Sequence, residues 1–256
     1  MLLVFTAIAA MELHYWAVWG TAPHTAWSVA AVIVPAAIVA LLLSSRAMDS
    51  RWPVSSQPAA YRLHAPAIIG AAMAAWILYA NATHDGASDP LPYLPFVNAL
   101  DLGHILVAIA VASVVMAARR SGIAAGPELR GLAPPLIGIL AFIWLNGVLL
   151  RTLHHWAGIP YRAQAMTHSM LVQASLSIFW TLLALAMMFV ATRRGRRPLW
   201  ITGAALMAVV VVKLFVVELA QANAIERIVS FIVVGALMLA IGYTAPVPPR
   251  HTEVRT

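Results

Sequence analysis

The residues best placed to do chemistry lie where an apolar run ends, in the stretch 146–161, NGVLLRTLHHWAGIPY. If the run is helical, Arg151, His154 and His155 stand at i, i+3 and i+4 and share one face as the helix leaves the lipid. A guanidinium there can hold an anionic group, and an imidazole can take or give a proton near neutral pH. Asn98, Asp101 and His104 repeat every three residues at the start of another apolar run, and Lys213 and Glu218 close a third. Glu226 and Arg227 open the last run, and Gln173, Ser177 and Thr181 make a polar stripe at i, i+4 and i+8 of another. Asp101, His154, His155 and Glu218 are therefore the catalytic candidates. Asn98, His104, Asn146, Arg151, Gln173, Lys213 and Arg227 are the candidates for holding a substrate.

Each candidate has a structural counterpart. Glu226 begins a helix, where a carboxylate favours the macrodipole, and Arg227 could lock Glu218 or Asp101. Lys213 could snorkel to the surface or pair with Asp101 or Glu218. His154 and His155 are adjacent on a helix and point about 100° apart, so they do not readily share a small metal site. No HExxH or comparable spacing supports zinc, and neither a metal nor another cofactor is assigned. Tryptophans such as Trp16, Trp19, Trp156 and Trp180 read as interfacial belt or packing residues.

These residues must be positioned by membrane helices. The chain is 62% hydrophobic and 10% charged, with a mean hydropathy of +0.86, too little polar surface to cover a soluble domain of this length. The net charge of +7 falls in short arginine clusters between apolar runs, without the aromatic and basic interleaving of a nucleic-acid surface. Without cysteine, disulfides, iron–sulfur clusters and thiolate metal sites are excluded.

Eight apolar runs follow in order, at residues 1–20, 27–43, 65–80, 97–118, 132–150, 170–191, 199–217 and 225–243. Each approaches the ~17 to 25 residues a helix needs to cross the hydrocarbon core, the third being the shortest. The first carries Glu12 and His14 with no basic residue ahead of it, which makes a poor signal peptide. Pro35 and the pair Pro134 and Pro135 should kink or cap their helices rather than abolish them. The expected fold is an all-α, polytopic transmembrane bundle of about eight helices, a single domain over residues 1–245 followed by a short polar cytoplasmic tail at 246–256.

Loop charge orients the bundle. Arg46, Arg51 and Arg62 follow the second run, Arg119, Arg120 and Arg130 the fourth, and Arg193, Arg194, Arg196 and Arg197 the sixth. The positive-inside rule puts these loops and both termini in the cytoplasm. Nearly every unusual polar residue then gathers at the outer face. Ionisable groups within a bilayer cost several kcal/mol unless paired, and mark function by default.

Motifs that would name a reaction are missing: there is no P-loop, GxGxxG, GxSxG or CxxCH. The segments DPLPYLPFVNALDL (89–102), NGVLLRTLHHWAGIPY, VQASLSIFWTLLAL (172–185), RRPLWITGAALMAVVVVKLFVVEL (196–219) and ERIVSFIVVGALMLAIGY (226–243) together resemble the C-terminal part of large bacterial predicted membrane proteins, the domain of unknown function family 2339. The resemblance runs in order through most of the chain after about Leu91. It implies a bacterial inner-membrane home without supplying an activity. Members are typically several times longer, and this chain starts inside an apolar run, as a fragment or short paralogue would. Glu218 stands where aspartate usually follows the KLF motif, which keeps a carboxylate in place.

The expected function is an integral inner-membrane protein with a polar site at the periplasmic face, part of an envelope glycan- or lipid-modifying transferase. The alternatives are a transport or channel module, and a non-catalytic scaffold or assembly subunit. The sparse ionisable residues of the inner half disfavour a relay across the membrane. Membrane lipids, a lipid-linked or saccharide substrate and other membrane subunits are the expected partners, and nucleic acid is not.

Overall fold

The computed structural model describes residues 1–21, 25–120 and 127–218, together with isolated helical positions between 232 and 239. Among the described residues the chain is helical, with one isolated bridge between Ser88 and Leu91. The helices are α1 (Leu2–Gly20), α2 (Ala26–Ser44), α3 (Ala65–Thr83), α4 (Ala99–Arg120), α5 (Pro127–Ala157), the short α6 (Ala163–His168), α7 (Met170–Arg193) and α8 (Arg197–Lys213). Seven described segments are long and apolar enough to cross a membrane, and they coincide with the first seven apolar runs. Of the eighth run only those isolated positions are described; Glu226, Arg227 and the Glu218 side chain lie outside the described residues.

The helices extend beyond the apolar runs where local sequence allows. A π-helical turn at Ala60–His64 leads into α3, so the run expected to be shortest spans Ala60–Thr83. Pro35 lies inside α2, and Pro134 and Pro135 inside α5, without ending either helix. Membrane helices tolerate such prolines because neighbouring groups satisfy the freed carbonyls. α5 stops where the sequence says it should: Gly158 has φ +69° and donates its N–H to His154 O at 3.1 Å, and Pro160 follows. A glycine in the left-handed region is the usual way to close a helix C-terminus.

The chain divides into two compact units, Met1–Met166 and Thr167–Thr256. In the first, α2 is the central helix. Small residues along it, including Ala26, Ala30, Ala37 and Ala40, share one buried cluster with Leu100, Val107 and Ala110 of α4 and with Ile69, Met73, Trp76 and Ile77 of α3. Membrane helices have no hydrophobic drive toward one another, so close backbone approach over small side chains supplies much of the attraction. In the second unit α7 and α8 form a hairpin. Ser169 caps α7 by accepting the Val172 N–H, and Arg196 N donates to Ala191 O to close the turn.

Candidate functional site

The first unit buries a polar network at the end where α2 begins, α3 ends, α4 begins and α5 ends. Asp101 enters from the first turn of α4, capped by its own neighbour, since its N–H donates to Asn98 Oδ1 at 2.9 Å. Arg151 enters from the last turns of α5. The two side chains are wholly buried and joined by Arg151 Nη2 to Asp101 Oδ1 at 2.7 Å.

Asp101 has four donors. Oδ1 accepts Arg151 and Trp144 Nε1 (2.9 Å), and Oδ2 accepts Asn98 Nδ2 (2.6 Å) and the Phe96 N–H (3.2 Å). Phe96 reaches that carboxylate with φ +65°, a left-handed conformation that a bulky residue holds only when its surroundings enforce it. A carboxylate offers about four lone-pair sites, and all are used.

Arg151 extends the network through Nη1 to Asn81 Oδ1 at 3.0 Å, and Asn81 Nδ2 donates to His104 Nε2 at 2.8 Å. His104 Nδ1 lies 2.8 Å from Leu100 O. A carbonyl can only accept, so Nδ1 carries the proton and Nε2 takes Asn81's. This assigns the neutral tautomer from its partners. The imidazole is parallel to Trp144 (8°, centroids 5.5 Å apart) and meets the Trp76 ring at a 48° tilt with centroids 4.8 Å apart. Arg151 Nε is buried without a hydrogen-bond partner.

Two glycines make room for this packing. A Cβ on Gly147 would fall 1.9 Å from Asn81 Oδ1, and one on Gly86 would fall 2.8 Å from Arg151 Cδ, at a residue with φ +81°. The loop carrying Gly86 is tied to α2, since Ala26 N donates to Ala87 O and Trp27 Nε1 to Ser88 O.

A half-exposed layer lies one turn further along α5. His154 Nδ1 donates to Ile159 O at 2.7 Å, and its Nε2 stands 3.7 Å from Asp85 Oδ2. His155 Nε2 donates to Asp85 O at 2.9 Å, and its ring stacks on Tyr93 with centroids 4.2 Å apart. The neighbouring histidines thus point apart in bonding and converge on different atoms of Asp85. Tyr161 donates to Asn81 O at 3.1 Å and Tyr93 to Val148 O at 3.4 Å. Burial raises both phenols above their ordinary value, with Arg151 opposing the shift, so both remain donors.

The structure therefore brings together Asn98, Asp101, His104 and Arg151, with His154 and His155 beside them. Asn146 donates to Phe142 O along its own helix. In the second unit Lys213 donates to Gln173 O (2.9 Å) and Ser177 Oγ (2.7 Å), fastening the end of α8 to α7, while Gln173 Nε2 donates to Thr167 O. Sequence reasoning missed Asn81, Trp144, Trp76, Tyr93 and Asp85. An asparagine directly after an apolar run was the available signal for Asn81. Among the described residues no group of three His, Cys, Asp or Glu side chains could hold a metal ion.

Fold and site define an all-helical, polytopic membrane protein with a buried ionic network near one end of its spans. The chain belongs to the family described as Predicted membrane protein (DUF2339), whose profile matches residues 1–248. The likeness thus extends well ahead of Leu91, where the sequence motifs first suggest it. Comparisons with curated proteins and with solved structures give no match.

Proposed function

We propose that this is a bacterial inner-membrane protein with both termini in the cytoplasm, whose periplasmic face binds the polar part of an envelope glycan or lipid and transfers a group to its hydroxyl. One observation carries the reading: a buried ion pair whose carboxylate is saturated lies beneath a half-exposed histidine and carboxylate. Asp101 has no lone-pair site left for a substrate proton, so its role is to fix Arg151, Trp144 and Asn98. Of the two neighbouring histidines, His154 is the one whose Nε2 faces a carboxylate, while His155 donates its Nε2 to Asp85 O and stacks on Tyr93. With Nδ1 donating to Ile159 O, the neutral ring carries its lone pair on Nε2, toward Asp85.

In the proposed step the acceptor hydroxyl gives its proton to His154 Nε2 as its oxygen bonds to the transferred group. That group's bond to an activated, lipid-linked donor breaks, and the leaving group departs with the electron pair. Asp85 stabilises the imidazolium. Asp85 acts through its charge: at 3.7 Å it lies beyond hydrogen-bond distance, which leaves the single lone pair of Nε2 to the hydroxyl. Glu218 and Arg227 keep their candidate status from the sequence alone.

The orientation rests on the arginine clusters. In the first unit Arg119 and Arg120 end α4, and Arg120 Nη2 donates to Ser44 O at the end of α2, so the basic end of these helices is opposite the network. Cysteines placed at exposed Asp89 and Ala157 should react with an impermeant thiol reagent added from the periplasm, and one at Arg51 should not. The chemistry is tested by envelope lipid and glycan profiles of cells lacking the protein. A species restored by the wild type should stay missing with His154→Gln, although the variant inserts normally. Full restoration by His154→Gln would remove the transferase reading and leave a scaffold, which the saturation of Asp101 favours as the second reading.

A further inference from the structure

A second feature of the first unit also involves Trp76. A cavity of about 250 Å³ opens among α1, α2 and α3, walled by Ala10, Val29, Val32 and Trp76 and edged by Met11, His14 and Tyr79. Its lining residues fall within segments long and apolar enough to cross the membrane. Each helix contributes residues from one face: 10 and 14 from α1, 29 and 32 from α2, 76 and 79 from α3. The cavity is a gap between packed helices, and its lining is apolar apart from the His14 imidazole, the Tyr79 hydroxyl and the Trp76 N–H.

We infer that this cavity is a binding site for the hydrocarbon chain of a membrane lipid, with its polar end directed toward the end of the spans that carries the ionic network. Three observations decide the occupant. An apolar cavity excludes water: an engineered one of roughly 150 Å³ stays dry and takes up benzene, and this one is larger. In a bilayer, the material in contact with these helices is lipid hydrocarbon. Exposed Tyr15, Trp16 and Trp19 follow within the next turns of α1, and such aromatics sit at headgroup level, so the cavity lies just beneath that level.

His14 supplies the polar contact. Its Nδ1 donates to Ser28 O at 2.9 Å, which leaves Nε2 as a hydrogen-bond acceptor in the neutral ring and as a donor once protonated. A hydroxyl near the lipid's polar end meets the first state, and an ester carbonyl or phosphate meets the second. Trp76 is held in place, because its Nε1 donates to Val29 O at 2.8 Å and its ring edge packs so closely on Gly103 that a Cβ there would fall 2.8 Å from it. The same indole meets the His104 ring at 4.8 Å, so a chain in the cavity braces one wall of the network. The inference does not depend on His154 being catalytic.

The test uses the full chain in vesicles of phosphatidylethanolamine and phosphatidylglycerol, doped with phosphatidylglycerol bearing a mid-chain diazirine. Adducts are mapped after photolysis at increasing probe fraction. Adducts at Val32 and Trp76 should saturate, whereas those at Ile8 and Leu78, which are exposed to lipid on open faces, should rise in proportion to the probe. Ala10→Phe and, separately, Val32→Phe should abolish the saturable adducts at Trp76 and leave those at Ile8 intact. Unchanged heat stability shows that each variant is folded. Adducts at Trp76 that never saturate, that survive both fillings, or that are replaced by cross-links to a second copy of the chain would each overturn the inference. Failure here leaves the His154→Gln profile unaffected, so the two readings are separable.

Discussion

Among the described residues the first unit buries two arginines, one toward each end, and they are held in different ways. Arg62 is 5% exposed and donates to Leu43 O and to Asp49. It satisfies a carbonyl at the C-terminus of α2, where positive charge suits the macrodipole, and the Asp49 side chain remains 51% exposed. Arg151 and its partner Asp101 are both at 0%, and no terminal carbonyl or solvent shares the charge. The difference teaches that one residue type serves as a helix clip where water can still reach its partner, and as an internal strut where it cannot. The contrast predicts unequal losses. Asp101→Leu leaves Arg151 buried and unpaired and should destabilise the fold by about 3 to 5 kcal/mol. Arg62→Leu should cost only about 1.5 to 3 kcal/mol, the worth of its hydrogen bonds. Denaturant unfolding of the purified protein in one detergent compares them, and equal losses would dissolve the distinction.

Removing both ends of the strut sharpens the comparison. For a simple buried pair, apolar replacement of both partners restores much of the stability. This pair is not simple, because Asp101 also receives Trp144, Asn98 and the Phe96 N–H, and Arg151 also serves Asn81. Arg151→Leu with Asp101→Leu strands several of those groups, each costing about 1 to 3 kcal/mol if left unsatisfied. The double variant should therefore recover only part of the loss of Asp101→Leu, seen as an unfolding midpoint between the single variant and the wild type. Full recovery would show that Trp144 and Asn81 find other partners.

Most of the fold was legible because spanning a bilayer imposes long apolar runs, and seven of these appear as helices at the expected places. Gly158 and Pro160 ended α5 as their backbone preferences require. The site was legible in part. Asp101, Asn98 and His104 share a helical face, and Arg151 and the histidines share another, so spacing alone grouped them. What spacing cannot give is which faces meet. Asn81 joins Arg151 to His104 from a third helix, 70 residues from Arg151 in sequence, and nothing local in an apolar run announces that partner. Trp144 and Trp76 do not stand out in the sequence, because tryptophan near a membrane end ordinarily serves the interfacial belt or packing; only the hydrogen bond to Asp101 gives Trp144 another role. Lys213 had several potential partners in sequence, and contact with Gln173 O and Ser177 became visible only once α7 and α8 folded back on each other.

Gly147 tests how tightly the strut is built. Alanine suits a helix better than glycine by about 0.5 to 1 kcal/mol, so Gly147→Ala would stabilise an unconstrained position. Here the added methyl would lie 1.9 Å from Asn81 Oδ1 and 3.0 Å from Arg151 Nη1. Overpacking of this kind costs about 1 to 3 kcal/mol, so a net loss is expected. Asn81→Ala in the same chain removes the clashing amide, and the two losses should combine to less than their sum. A stabilised Gly147→Ala protein would show that α3 and α5 can separate without penalty.

The smallest effect belongs to the other end of the comparison. Asp49→Asn removes the carboxylate beside Arg62 but keeps a side-chain oxygen able to accept a hydrogen bond. Because the Asp49 side chain is 51% exposed, solvent already screens the pair, and exposed ion pairs contribute only about 0 to 1 kcal/mol. Arg62 also keeps Leu43 O, so it is not stranded. Asp49→Asn should shift the unfolding midpoint little, whereas Asp101→Asn should shift it strongly, since it replaces a buried anion by a neutral amide facing Arg151 and turns an acceptor of four donors into a group that must itself donate. A comparable shift in the two variants would mean that Asp49 is as deeply committed as Asp101, and that both ends of the unit are held by struts.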